Sequence, residues 1–299
     1  MYIIPYDAKR SSLYKPGDAD DFFQFGPAQT QTEAALCAEM ARLAYVNNES
    51  RLQSYLQRAD FDLRYSAGYG TNGTQLFACQ SRFQTGGRNV VVVSFRGTET
   101  EDPSDLVTDA NFIHQPWMNE SGQATGKIHS GFAEALLNGH LLQNLVNHLQ
   151  NYTSPARILL TGHSLGAALA TLTASYLAPT NLLASDLHLY TFGSPRVGDN
   201  VFAKSMISVD HARYVDCCDL VTRIPPEEFG FVHVGSLRYI DREGHVHRTI
   251  SEDEISNDRI AAAASYLVKY SFLLGTVWVR ELAVHSPINY VSGVSGLRP

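Results

Sequence analysis

Between Arg157 and Leu177 the chain reads Arg-Ile-Leu-Leu-Thr-Gly162-His-Ser164-Leu-Gly166 and continues Ala-Ala-Leu-Ala-Thr-Leu. An apolar strand has to become an Ala-rich helix here within about three residues, and the turn must be tight enough for Ser164 to project from the sheet edge. Gly162 and Gly166 fit that demand, because a side chain at either place would collide with the neighbouring strand or helix. The pattern predicts a strand over Arg157–Thr161 and a helix over Leu165–Leu177. A strand feeding a helix in this way is half of a βαβ unit, which commits the surrounding chain to a parallel, layered α/β architecture.

The flanking sequence agrees. Phe61–Ser66, Gln75–Phe83 and Asn89–Phe95 read as successive strands separated by Gly-rich turns. The run Val90–Val93 shows no polar alternation, as expected of a strand covered on both faces. Downstream, helix is predicted over Ser130–Gln150 and Val201–Ile207, and strand over Leu187–Phe192 and Ala212–Asp216. Upstream, Thr30 with Glu33 forms a capping-box pattern opening a helix with Leu36, Met40 and Leu43 on one face; a short helix near Glu49–Ala59 follows. Residues 1–29, punctuated by Pro5, Pro16, Gly17, Gly26 and Pro27, read as an irregular arm. No repeat, low-complexity tract or linker divides the chain, so residues 1–299 are expected to form one domain.

Composition narrows the function classes. With 23 Lys plus Arg against 30 Asp plus Glu, the net charge of −7 argues against a chain-wide nucleic-acid surface. Four cysteines, two of them adjacent at Cys217 and Cys218, do not make a disulfide scaffold and are expected to be packed thiols. The N-terminus has no basic region, apolar core or small-residue cleavage site, so no signal peptide is visible. The expectation is a chain that stays inside, or leaves by a route without a cleavable signal. Between Ile260 and Val279 Lys269 alone is charged; a helix packed on the sheet, or lying near an interface, is expected there in preference to a membrane span.

A serine hydroxyl reacts only when a base takes its proton and a carboxylate holds that base in one tautomer. With the serine on a strand-to-helix turn, the acid and then the histidine are expected downstream. His188, His211, His233, His245 and His247 lie in or beside strand-like segments, where hydrogen-bonded or surface imidazoles account for them. His285, in Ala283-Val-His-Ser-Pro-Ile-Asn-Tyr290, sits in a late loop from which a base can swing over the sheet edge. Asp219, where a late strand ends, is the candidate acid, with Asp216 its near competitor. The N–H of Leu165, at a helix start, can bind a developing anion. No His, Cys or carboxylate cluster has metal-ligand spacing, and no cofactor motif is present; His245-Val-His247 reads as an exposed strand.

Four blocks resemble the class 3 lipases, the family of filamentous-fungal triacylglycerol lipases and feruloyl esterases. They are Val93-Ser-Phe-Arg-Gly-Thr98, Ile128-His-Ser-Gly-Phe132, Thr161-Gly-His-Ser-Leu-Gly166 and Tyr190-Thr-Phe-Gly-Ser-Pro-Arg-Val-Gly198-Asp-Asn-Val-Phe-Ala203. Asp219-Leu-Val-Thr-Arg-Ile-Pro-Pro226 and Phe231-Val-His-Val-Gly-Ser236 extend the match. The resemblance implies an α/β-hydrolase fold, a mostly parallel central sheet flanked by helices with a lid over the site. It implies Ser164 as nucleophile, Asp219 in preference to Asp216 as acid, His285 as base, and Thr98 with Leu165 as the oxyanion hole. It implies no metal and no cofactor.

The same resemblance places a lid region at 99–127, with Leu106, Val107, Phe112, Ile113 and Trp117 on its apolar, substrate-facing side. The implied substrate is a lipid or other small ester, met in transient contact with a lipid–water interface. Triacylglycerol lipase is the leading activity; short-chain carboxylesterase, feruloyl esterase and phospholipase A1 are the alternatives within the class, and a non-catalytic lipid-binding protein is the rival outside it. Two departures stand out. Val284 precedes His285 where the family usually has Asp, and a helical insertion at 251–284 is longer than in the compact fungal members. Oligomeric state has no sequence signature here.

Overall fold

The computed structural model describes residue 4 and residues 11–17, 31–69, 74–85, 87–98, 111–150, 156–178, 186–270 and 283–296. Helix α1 (Glu33–Leu43) starts at Thr32, whose hydroxyl accepts the Ala35 N–H at 3.2 Å. The cap is therefore Thr32, not the expected Thr30: it is Thr32 that has the extended backbone putting its Oγ1 over the open N–H groups. Helix α2 (Glu49–Arg58) is capped in the same way by Asn48.

Strands β1 (Phe61–Ala67), β2 (Leu76–Thr85) and β3 (Arg88–Phe95) form an antiparallel meander. Strands β4 (His114–Met118) and β5 (Ala124–His129) pair as a separate two-stranded ribbon. The predicted Ser130–Gln150 helix is broken into α3 (Ser130–Leu137) and α4 (Leu141–Gln150). Between them Gly139 and His140 take positive φ of 62° and 58°, which no helix can carry through. There follow β6 (Ala156–His163), α5 (Leu165–Leu177), β7 (Leu187–Phe192), α6 (Asn200–Ser205), β8 (Asp210–Asp216), β9 (Ser236–Ile240), β10 (Val246–His247), α7 (Glu252–Tyr270) and α8 (Pro287–Val294).

The main sheet has the order β1-β2-β3-β6-β7-β8-β9-β10, parallel from β3 to β9 and antiparallel at both edges. The Val90–Val93 run explains itself in this arrangement. Val91 and Val93 join Ile158, Leu160 and Leu189 against α3, α4 and α5, whereas Val90 and Val92 join Leu159, Phe192 and Tyr214 against α1, α2 and α8. Successive side chains of the run alternate between two apolar layers, so both of its faces are apolar. The 251–284 insertion begins as α7, which lies against the β8–β9 edge of the sheet through Ala262 and a hydrogen bond from Tyr239 Oη to Asp258 (2.9 Å). Its apolar continuation beyond residue 270 lies outside the described residues, among which no helix is long and apolar enough to cross a membrane.

Candidate active site

Ser164 joins β6 to α5 with φ 58° and ψ −128°, a left-handed backbone that an L-residue adopts only where packing imposes it. The imposing contacts come from the two glycines. A Cβ on Gly162 would lie 2.2 Å from the Gly166 carbonyl oxygen, and one on Gly166 would lie 2.2 Å from the Phe95 carbonyl oxygen. The elbow is thereby pressed onto the end of β3, and Ser164 N–H is tied to the Phe192 carbonyl on β7 (3.0 Å). The same contact delivers the next loop: a Cβ on Gly97 would come within 3.2 Å of Ser164 Cβ, so Thr98 leaves β3 beside the serine. Leu165 is the first residue of α5, and its N–H has no carbonyl one turn back to bond.

His285 lies in the turn just before α8, and its ring bridges the other two residues. Nε2 is 2.9 Å from Ser164 Oγ, and Nδ1 is 2.9 Å from Asp219 Oδ2. A carboxylate only accepts, so Nδ1 carries the proton, Nε2 presents a lone pair, and the serine hydroxyl donates to it. All three side chains are buried, with Ser164 1% exposed.

Asp219 sits after β8 on a turn closed by its own N–H to the Asp216 carbonyl (2.8 Å) and by Thr222 Oγ1 donating to the Asp219 carbonyl (2.7 Å). Its Oδ1 accepts the Val221 N–H at 2.9 Å, while Oδ2 accepts both His285 and the Tyr290 hydroxyl, the latter at 2.5 Å. Burial, and then the adjacent carboxylate of Asp219, hold the Tyr290 phenol well above its ordinary pKa, which keeps it a donor. Asp216 lies on the far side of this hydroxyl and gives it a backbone N–H at 3.2 Å; the imidazole is met by Asp219. Gly193 walls the pair, since a Cβ there would stand 3.0 Å from Asp219 Oδ2 and 3.1 Å from His285 Cε1. The insertion helix α7 also reaches this turn, through Arg259 Nε donating to the Cys217 carbonyl (3.0 Å). Cys217 and Cys218 are buried thiols outside any disulfide, their Sγ atoms 2.9 Å apart.

The remaining histidines considered above have structural partners. His188 bonds Asp186 and Asp210, His211 bonds Thr191, and His233 bonds the Thr222 carbonyl. His245 and His247 close the turn around Asp241. With Glu243, Asp241 and His245 form the group of potential metal donors found among the described residues. Both Asp241 oxygens already accept hydrogen bonds within that turn.

The expected lid requires correction. Trp117 is 3% exposed and packs beside Tyr176 (ring centroids 6.4 Å) in the core beneath β4, not on a movable flap. Residues 114–118 and 124–129 are the β4–β5 ribbon, so the 99–127 region cannot all be lid; Pro116 within β4 masked the strand signal. Phe112 packs against Phe229 with tilted rings (centroids 5.1 Å), and Ile113 is 51% exposed. Leu106 and Val107 lie outside the described residues. Sequence reasoning also passed over Tyr290, Gly193, and a buried pair behind the serine, Tyr45 and His163. The one local signal was His163 itself, sitting as the variable residue inside the Gly-x-Ser-x-Gly motif.

Comparison with known proteins meets this geometry at the same residues. The profile of the family described as Lipase (class 3) matches residues 92–229, which hold the elbow, the Thr98 loop and Asp219. A lipase of Rhizomucor miehei is 33% identical over 156 residues, covering 50% of this chain and 41% of that protein. Triacylglycerol lipase OBL1 of Arabidopsis thaliana is 27% identical over 314 residues, covering 86% of this chain and 57% of that protein. The chain thus spans about half the length of these relatives. Among solved structures, the lipase of Rhizopus microsporus var. chinensis superposes with a TM-score of 0.53 at 27% identity, over 69% of this chain and 71% of that one. The sheet order and the elbow are those of an α/β-hydrolase, and the stretch at 92–229 that carries them is similar to the class 3 lipases.

Proposed function

We propose that this protein is a serine ester hydrolase that cleaves acylglycerols or similar lipid esters through an acyl-enzyme. The observation that carries the proposal is the unbroken line Ser164 Oγ–His285 Nε2, Nδ1–Asp219 Oδ2, each link 2.9 Å, with one tautomer assigned throughout.

Ser164 Oγ attacks the ester carbonyl as its proton passes to His285 Nε2. The imidazolium so formed faces the Asp219 carboxylate, which already has Nδ1 in place and does not itself take the proton. The carbonyl oxygen becomes an oxyanion beside the Leu165 N–H and the Thr98 loop, where a lost donor costs about 10²–10³ in turnover. Collapse of this intermediate breaks the ester C–O bond, and the departing alcohol takes the Nε2 proton. Water then repeats the sequence: it attacks the acyl carbonyl, gives its proton to Nε2, and releases the acid as Ser164 recovers its hydrogen.

Lipid substrates are supported by the names of the relatives and by an exposed apolar patch. There Phe112 packs on Phe229, and Ile113 and Phe229 are 51% and 55% exposed. In this reading the patch makes transient contact with a lipid–water interface. Labelling with a fluorophosphonate is the first test: it should modify the wild type and spare Ser164→Ala, and equal labelling of both would overturn the hydrolase reading. A series of p-nitrophenyl esters, with emulsified triacylglycerol and phospholipid vesicles alongside, then fixes the substrate. Activity persisting on long acyl chains and on triacylglycerol is expected. Activity collapsing beyond butyrate would make it an esterase, and preference for the vesicles a phospholipase.

A further inference from the structure

The His285 side chain is fixed by Asp219 and Ser164, but its peptide is fixed by something else. His163, one residue before the serine and buried behind it, places Nε2 2.6 Å from the His285 carbonyl oxygen. A carbonyl only accepts, so that nitrogen carries the proton. Burial first, and then the neighbouring His285 ring, hold the His163 pKa well below its ordinary value, so the ring is neutral and has no second proton to give. Its Nδ1 is therefore an acceptor, and the Tyr45 hydroxyl 2.8 Å away is the donor. The direction of the chain is set at every link: Tyr45 Oη–H to His163 Nδ1, then His163 Nε2–H to the His285 carbonyl.

Tyr45 is fully buried just beyond α1 and touches the other arm of the site as well. A Cβ on Gly97 would lie 2.3 Å from its hydroxyl oxygen, directly before Thr98. Its ring rests on Tyr14 (centroids 5.3 Å) in a small cluster with Leu13 and with Ala283 and Ile288, the residues flanking His285. Asn289 completes this layer: its Oδ1 accepts the Ile4 N–H, and its Nδ2 donates to the carbonyls of Ile4 and Ala283, all at 3.0 Å.

We propose that Tyr45 and His163 are positioning residues of the hydrolytic site, a strut that sets the backbone of the catalytic base. The proposal rests on the functional reading above. Asp219 holds the imidazole by one nitrogen and leaves its root free; the strut removes that freedom by pinning the peptide from which the ring hangs. It does so without charge. The two imidazole centroids are 4.5 Å apart, so a cation at position 163 would oppose the imidazolium that forms at His285 on every turnover.

The test uses purified full-length Tyr45→Phe, His163→Ala and His163→Gln, with wild type and Ser164→Ala as controls. Glutamine can place an amide N–H where Nε2 stood; alanine cannot. His163→Ala should lower kcat by about 10–100-fold with KM within about twofold, since a misplaced base slows chemistry and not binding. His163→Gln should recover most of that loss. Tyr45→Phe should lower kcat severalfold, again at constant KM, and the rate of fluorophosphonate labelling should fall in parallel with kcat. Far-ultraviolet circular dichroism checks that each variant is folded; should alanine fail to fold, the glutamine and phenylalanine variants still carry the test. The proposal is overturned if folded His163→Ala keeps wild-type kcat, if glutamine is no better than alanine, or if the loss appears in KM. If Ser164→Ala keeps activity, the hydrolase reading fails instead.

Discussion

The two halves of this site are built on different physical terms. The nucleophile half, β6–Ser164–α5, is contiguous in sequence and held by steric exclusion: two positions without a Cβ, at each of which an added Cβ would stand 2.2 Å from a carbonyl oxygen. The acid–base half is assembled across the fold. Asp219 and His285 are 66 residues apart, and hydrogen bonds from Tyr290, Val221, Thr222, Arg259 and His163 orient them and the peptides that carry them. Steric exclusion is close to all-or-none, whereas a set of hydrogen bonds loses its members one at a time. A change in the first half should therefore cost the fold, and a change in the second should cost rate.

The largest effect expected belongs to Asp219→Asn. It keeps the shape but favours the wrong imidazole tautomer, and kcat should fall by about 10⁴ with little change in thermal midpoint. Asp216→Asn, made in parallel, should leave most of the activity, and the reverse ranking would exchange the two roles. Next comes Gly166→Ala. A methyl group forced against the Phe95 carbonyl should destabilise the protein by about 3 kcal/mol, read as a lowered unfolding midpoint or as loss of soluble protein. A folded Gly166→Ala with the wild-type midpoint would break the comparison at its root.

A graded effect should follow from acid. Burial lowers the His211 pKa from 6.5 to about 3, so the unfolded chain takes up its proton first. Stability should be complete above about pH 6.5 and fall as the pH drops towards 3, at a slope of about 1.4 kcal/mol per pH unit for this residue. Chemical denaturation between pH 4 and 7 measures the slope, and His211→Gln should flatten it. The smallest effect is expected of Tyr290→Phe. Asp219 would lose one of several donors, and kcat/KM should fall by about tenfold or less. A loss as deep as that of Asp219→Asn would show that the hydrogen bonds of this half do not act separately.

What could be read from the sequence follows the same division. The elbow and the Val90–Val93 strand were legible because sterics and burial act on neighbouring residues, and so leave a local pattern. Ser164 came from that pattern; His285 and Asp219 came from their places in a late loop and at a strand end, and the family resemblance was needed to set Asp219 above Asp216. Tyr45, His163 and Tyr290 went unread because each matters through a partner more than 70 residues away. The break between α3 and α4 was missed because Gly139 inside an amphipathic run looks like a tolerated helix glycine until its positive φ is seen. Trp117 was assigned to the lid by the region the resemblance placed there and by its apolar character, which a core strand shares.

The order of elements along the chain has a consequence for synthesis. The glycines of the elbow and the β3 carbonyl they press against all lie before Leu177, and β7 adds the Phe192 carbonyl soon after, yet the proposed base arrives 121 residues after the serine, in the turn leading into α8. A polypeptide still being extended through β7, β8 and α7 carries a hydroxyl with the reactivity of an ordinary alcohol, since no imidazole has yet been made that can reach it. The proposed competence is thus acquired in one late step, when α8 packs against α1 and brings His285 over the sheet edge.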